Sequence, residues 1–200
     1  DASGLVRLAL ASCLQRLPIA TRPDLAAAIM ERAEDATDHN LPLLVWHGLI
    51  PVVPAKPERA AELAIGTRWL KTQRLIARRL GGLVDREPAA VGIIVAAAAQ
   101  GDAATRRNLL AGLAAGLAGW RRAPRPPGWD AVVAASKGDP EAEPIVRDLS
   151  AVFGDGRAID EIRRLVLDAN ADVNIADRQG GTPLQHARRR GYTEMARIIE

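Results

Sequence analysis

Apolar positions along the chain recur at helical spacing in short blocks, and Pro, Gly and Asp separate the blocks every fifteen to twenty residues. The first block predicts a helix over roughly Ser3–Leu17, broken by Pro18 and Arg22-Pro23. Thr21 is placed to cap a second helix carrying Leu25, Ile29 and Met30. Asn40 ahead of Leu41-Pro42 reads as an N-cap with proline in the first turn, before a short apolar helix from Leu43 to Ile50. Pro51, Pro54 and Pro57 then suggest a stiff connection. Pro57-Glu58 opens a helix closed by Gly66, and Thr67 is positioned to cap Arg68–Leu80, which Gly81-Gly82 stops. A further helix is expected from about Pro88 to Gln100. Asp102 caps the next, with Leu109, Leu110, Leu113, Leu117 and Trp120 at helical spacing. After a proline-rich loop at Ala123–Gly128, helices are expected at Trp129–Ser136, at Pro140–Phe153 behind Asp139, and at Ala158–Ala169. No run alternates apolar and polar residues over a strand's length. Short amphipathic helices in series, none able to bury its apolar face alone, predict an all-α stack of repeats.

Composition agrees. The chain is 48% hydrophobic and 26% charged, within the globular range. Ala, Leu and Arg, strong helix formers, dominate. The pI near 9.6 raises a nucleic-acid reading, yet 27 basic residues face 24 acidic ones, so bulk charge weighs little. Cys13 is the only cysteine, which excludes an internal disulfide, a CxxC pair, a cysteine-rich zinc site and a CxxCH haem attachment within this sequence. The apolar run Val91–Ala99 is too short to span a membrane. The sequence begins at Asp1 rather than Met, as a fragment or processed form does, so missing targeting signals carry no weight.

Asp1 followed by Val6-Arg7, and Asp139-Pro140 followed by Val146-Arg147, share one pattern. In it the Asp caps the first helix of a pair, the Val packs inward, and the Arg reaches a carboxylate of a neighbouring repeat. That pattern resembles the HEAT repeat, although two ordinary capped helices would also read this way. Longer stretches resemble one family more closely. They are Val6–Ser12, Leu14–Pro18, Ala33-Glu34-Asp35, Asp38–Leu43 with Trp46, Ile76–Leu80, Arg121–Trp129 and Val152–Ala158. Together, over about residues 1–166, they resemble the helical HEAT region of the large PVC-type haem-binding, membrane-bound dehydrogenase-like proteins. In that family a β-propeller precedes this region and a c-type cytochrome follows it. The resemblance implies an exported, periplasmic source and transfers no catalytic or haem residue.

The C-terminal sequence resembles a second family. Asp177–Leu184, Ala187, Gly191 and Ile198-Ile199 follow the ankyrin pattern, and Leu165–Asn174 resembles the end of a preceding ankyrin helix. Thr182 would cap a helix with Pro183 in its first turn. Gln185 stands where the ankyrin family places His, which puts the usual Thr-to-His hydrogen bond in question. The resulting expectation is a right-handed α-solenoid of HEAT-like helix pairs over 1–157, capped by an ankyrin segment over 158–200 that shares the helix Ala158–Ala169.

Candidate chemistry is sparse. His39, His47 and His186 lack a ligating partner at i+3 or i+4, so no metal or cofactor is expected. Ser3, Ser12, Ser136 and Ser150 lack a nucleophile context, so no enzyme is expected. Arg68, Lys71, Arg74 and Arg78 fall near one helical face. Arg121, Arg122 and Arg125 join Trp129 in a basic, proline-stiffened loop. These eight are the candidate partner-binding residues, weighed against an ordinary solvated face. The function expected is a non-catalytic scaffold, monomeric and without a membrane span, that binds a protein partner. The alternatives are a structural spacer in an exported cytochrome- or dehydrogenase-like protein and a HEAT-like nucleic-acid-binding module, with nucleic acid the weaker expectation.

Overall fold

The computed structural model describes residues 3–156, 164, 176, 180–189, 192 and 196–197. The chain divides into two compact units, 1–154 and 155–200. The described residues form helices and connecting turns, with no strand among them.

The first unit holds ten α-helices: α1 (Gly4–Cys13), α2 (Arg22–Met30), α3 (Leu41–Leu49), α4 (Val52–Ala55), α5 (Pro57–Gly66), α6 (Leu70–Gly81), α7 (Pro88–Gln100), α8 (Ala103–Gly116), α9 (Trp129–Ala135) and α10 (Ala142–Val152). They pack in two rows. Helices α1, α3, α6, α8 and α10 touch one another in that order, and α2, α5, α7 and α9 do the same in theirs. Pairs such as α5–α6, α7–α8 and α9–α10 cross between the rows. The core runs continuously from Ala11 and Leu14 through Val45, Ile76, Leu80, Ile94, Leu110 and Leu113 to Val132 and Leu149. No helix alone supplies that burial, as the short amphipathic blocks imply.

The tightest contact is α6 against α8. A Cβ added at Gly112 would stand 2.7 Å from both the Ala77 Cβ and the Arg74 carbonyl oxygen. One added at Gly116 would stand 2.1 Å from the Arg78 carbonyl oxygen. Two glycines one turn apart therefore let the α8 backbone lie directly on that of α6, an approach that side chains elsewhere keep apart.

Several local expectations change. The first α-helix ends at Cys13 and continues as a 3₁₀ turn over Leu14–Arg16. Val6 does not pack inward; it is 42% exposed, and Arg7 is the buried member of the pair. The helical rotation of about 100° per residue puts Arg7, Leu8 and Ala11 on the inner face instead. Arg7 bonds Asp35 through both Nε and Nη2, the latter at 2.9 Å. Donation to the Asp35 carboxylate holds the guanidinium pKa above its ordinary value against the opposing effect of burial. This Arg does reach a carboxylate across the fold, whereas Arg147 pairs among the described residues only with its neighbour Asp148.

Thr21 does not cap α2, because its hydroxyl donates backwards to the Pro18 carbonyl at 3.0 Å. Asn40 occupies the N-cap position of α3 without a side-chain bond, and Asp38 does the capping. Its Oδ1 accepts from the N–H groups of Asn40 and Leu41, both at 2.8 Å, which lowers the carboxyl pKa. The connection at Pro51–Pro57 contains the single-turn helix α4. Asp102 caps α8 as expected, accepting from the Thr105 N–H at 2.7 Å, and its pKa is lowered chiefly by that bond.

In the second unit the described residues include α11 (Pro183–Arg189). Thr182 Oγ1 accepts from the Gln185 N–H at 3.3 Å, and Gln185 Oε1 accepts from the Thr182 N–H at 3.1 Å. This is a reciprocal capping box between Thr182 and Gln185. Apart from residue 164, the helix Ala158–Ala169 lies outside the described residues, as do the segment Leu165–Asn174 and the Gly191 turn.

Candidate partner-binding groove

The site begins with the amphipathicity of α6. Thr72, Gln73, Ile76, Ala77, Leu80 and Gly81 are buried, so Lys71, Arg74, Leu75, Arg78 and Arg79 share the opposite side. The buried polar groups fix the helix in rotation. Gln73 Nε2 donates to the Ala64 carbonyl at 3.0 Å, and its Oε1 accepts from Asn108 Nδ2 at 2.7 Å. Thr72 Oγ1 donates to the Pro42 carbonyl at 3.4 Å. Helix α6 is thus tied to α5, α8 and the start of α3, and its cationic side cannot roll inward.

Arg68 is not part of that helical face. Thr67 Oγ1 accepts from the Trp69 N–H at 3.0 Å, so the helix begins at Leu70 and Arg68 stands exposed in the turn before it. Trp69 enters the core, its indole N–H donating to the Arg32 carbonyl at 2.8 Å.

A groove of about 550 Å³ opens where the last turns of α3, α6 and α8 come together. Its apolar lining comes from Trp46, Ile50, Pro54, Leu75 and Leu83, with Ala115 and Gly116 from α8. Arg78, Arg79 and Arg86 also line it, and no acidic residue does. Arg86 makes a loose 3.8 Å contact with Asp85 on the exposed surface. Arg78 and Arg79, like Arg68, Lys71 and Arg74, form no ion pair among the described residues. Other arginines are engaged: Arg59 with Asp24 and Glu62, both at 2.9 Å, and Arg107 with Glu141 at 2.8 Å.

The second expected cluster sits elsewhere. Arg122 and Arg125 line a separate depression of about 380 Å³ with Ala123, Pro124 and Phe153. Arg125 is bonded to Asp130. Trp129 must be withdrawn as a contact residue. It is 1% exposed, its Nε1 donates to Ser150 Oγ at 2.8 Å, and its ring meets Phe153 edge-on at 4.9 Å. A tryptophan behind a proline-rich loop was a natural candidate for the surface, but its bulk closes the core between α9 and α10.

Of the expected residues, the structure brings only Arg78 into the larger groove, with Lys71 and Arg74 continuing up the same helix. Trp46 and Arg86 were missed because they come from segments other than α6, and Arg79 because it lies beside Arg78 rather than on the three- and four-residue spacing of Lys71, Arg74 and Arg78. One signal was readable: from Leu63 to Val84 the sequence contains five cations and no acid, while the whole chain is only +3. Among the described residues no group of His, Cys, Asp and Glu is arranged to hold a metal ion, and no helix is long and apolar enough to cross a membrane. No protein-family model, curated protein or solved structure matches the chain.

Proposed function

We propose that this chain is a non-catalytic helical scaffold that binds a protein partner on the exposed side of the row α3–α6–α8. One observation carries the reading. The groove joins an apolar lining to Arg78 and Arg79, which have no ion-pair partner among the described residues, on a helix whose rotation is fixed by buried hydrogen bonds. Such a surface loses little conformational entropy when it binds, because its framework is already ordered. Arg and Trp are also the side chains most often found to dominate binding energy.

The finer architecture belongs to the same proposal. The row-wise stacking of alternate helices in the first unit supports a HEAT-like array, and with it the resemblance to the helical region of PVC-type haem-binding proteins. The Thr182–Gln185 box supports an ankyrin-type hairpin at the C-terminal end. An exported location follows from that resemblance alone.

The test is selection of displayed random peptides on the immobilised 1–200 chain, followed by competition. The expected result is enrichment of a common motif whose binding is lost in the variant Arg78→Glu/Arg79→Glu. No enrichment, or enriched peptides indifferent to that variant, would overturn the assignment of the surface.

A further inference from the structure

We infer that the occupant of the groove is an acidic peptide segment carrying an apolar anchor residue, with carboxylates on Arg78, Arg79 and Arg86 and the anchor on Ile50, Leu75 and Leu83. This rests on the scaffold reading above and names its partner chemistry.

Charge is the first argument. Three helices end at the groove, and each C-terminus presents about half a negative charge, roughly −1.5 together. Three guanidinium groups exceed this, so their role is not limited to offsetting helix dipoles. Lys71 and Arg74 extend the positive strip up α6, beyond the last turn where a dipole acts. Outside Leu63–Val84 the chain carries a small net negative charge, so the basic character is concentrated on one side of one helix and the turn before it. Arg78 and Arg79, with no ion pair among the described residues, and Arg86, held only by its 3.8 Å contact with Asp85, are suited to bidentate carboxylate recognition.

The lining is the second argument. It is mostly aliphatic, and Trp46 is its one aromatic ring. A nucleic-acid strand is held by successive aromatic platforms along a charged track, an arrangement this groove lacks. A volume of about 550 Å³ accommodates one or two apolar side chains with their flanking backbone. The chemistry favoured is therefore an apolar residue flanked by Asp or Glu.

The experiment uses the full 1–200 chain and synthetic peptides with one Leu flanked by glutamates. Controls replace the Leu with Ser, or the glutamates with Gln or Lys, and a single-stranded oligonucleotide serves as a further probe. Amide and indole NMR shifts locate binding, and fluorescence anisotropy measures it. The expected result is a set of shifts confined to Trp46, Ile50, Leu75, Arg78, Arg79, Leu83 and Arg86. Either control substitution should weaken binding by about tenfold or more. Arg78→Glu/Arg79→Glu should do the same to the acidic peptide while binding the Lys peptide better, with the thermal midpoint unchanged. A mere structural role for these arginines would not produce that reversal.

Three results would overturn the inference. In the first, neutral peptides enriched by display bind the groove better than acidic ones, and the scaffold reading stands. In the second, the oligonucleotide binds the same residues more tightly than the peptide, which replaces the partner class. In the third, no peptide of any composition binds, and the scaffold reading fails too.

Discussion

Replacing Gly116 by Ala tests whether α6 and α8 meet through their backbones. The added methyl would lie 2.1 Å from the Arg78 carbonyl oxygen and 3.1 Å from the Gly81 Cα, both backbone atoms. No rotamer change relieves such a clash, so the helices must separate by about 1 Å, loosening the packing around the buried Leu80 and Leu113. Overpacking of this kind costs about 1–3 kcal/mol, and loosened leucine packing adds to it. The better helix propensity of Ala returns at most about 1 kcal/mol. The net loss expected is about 2 kcal/mol, or roughly 4–8 °C in thermal midpoint for a unit of this size. Gly66→Ala is the internal control, since its Cβ would meet nothing within 4 Å. It should be neutral or stabilising by up to about 1 kcal/mol. Urea unfolding followed by circular dichroism at matched concentration measures both. A Gly116→Ala protein as stable as the parent would refute the close crossing. It would also unsettle the groove, which Gly116 helps to line.

Other expectations are as concrete. Trp129→Ala should destabilise by about 3–5 kcal/mol through the cavity it leaves, and Trp129→Phe by about 1 kcal/mol through the lost bond to Ser150, both read by chemical denaturation. Asp102→Ala should lower stability at pH 7. The folded pKa of Asp102 is depressed, so its contribution is present above the ordinary value of 3.8 and is lost as pH falls through the lower folded value. The gap between parent and variant should therefore close below about pH 4 in thermal unfolding across pH. Asp35→Ala should lower the midpoint more than the double variant Asp35→Leu/Arg7→Met, because the single change keeps the buried Arg7 guanidinium but removes the Asp35 carboxylate it bonds. Arg122→Glu should leave acidic-peptide affinity within about twofold, since Arg122 belongs to the other depression.

The helices were legible because their signals are local. Pro57 with Gly66 and Pro88 with Gln100 fixed two elements to the residue, and Asp102 fixed the start of a third, whose end at Gly116 falls short of the expected Leu117 and Trp120. The caps at Thr21 and Asn40 were misread because capping depends on which way one hydroxyl or amide turns, and Asp38 two residues upstream competed for the same N–H group. Arg7 shows another limit. Its neighbour Val6 is the more apolar residue, yet it is Arg7, bonded to Asp35, that faces inward. The groove was legible only in part. Its α6 contribution lay at helical spacing, but Trp46, Arg86 and Ala115 join it through packing between helices distant in sequence. Trp129 was among the candidate contact residues and is core, because composition near a loop says nothing about where an indole is directed.

The central claim is that the exposed side of α3, α6 and α8 takes the partner. Hydrogen exchange of the 1–200 chain, with and without the best display-selected peptide, tests it most directly. The account predicts added protection at the C-terminal turns of those three helices and in the 82–86 segment, absent in Arg78→Glu/Arg79→Glu. Protection confined to α2, α5, α7 and α9 would contradict it.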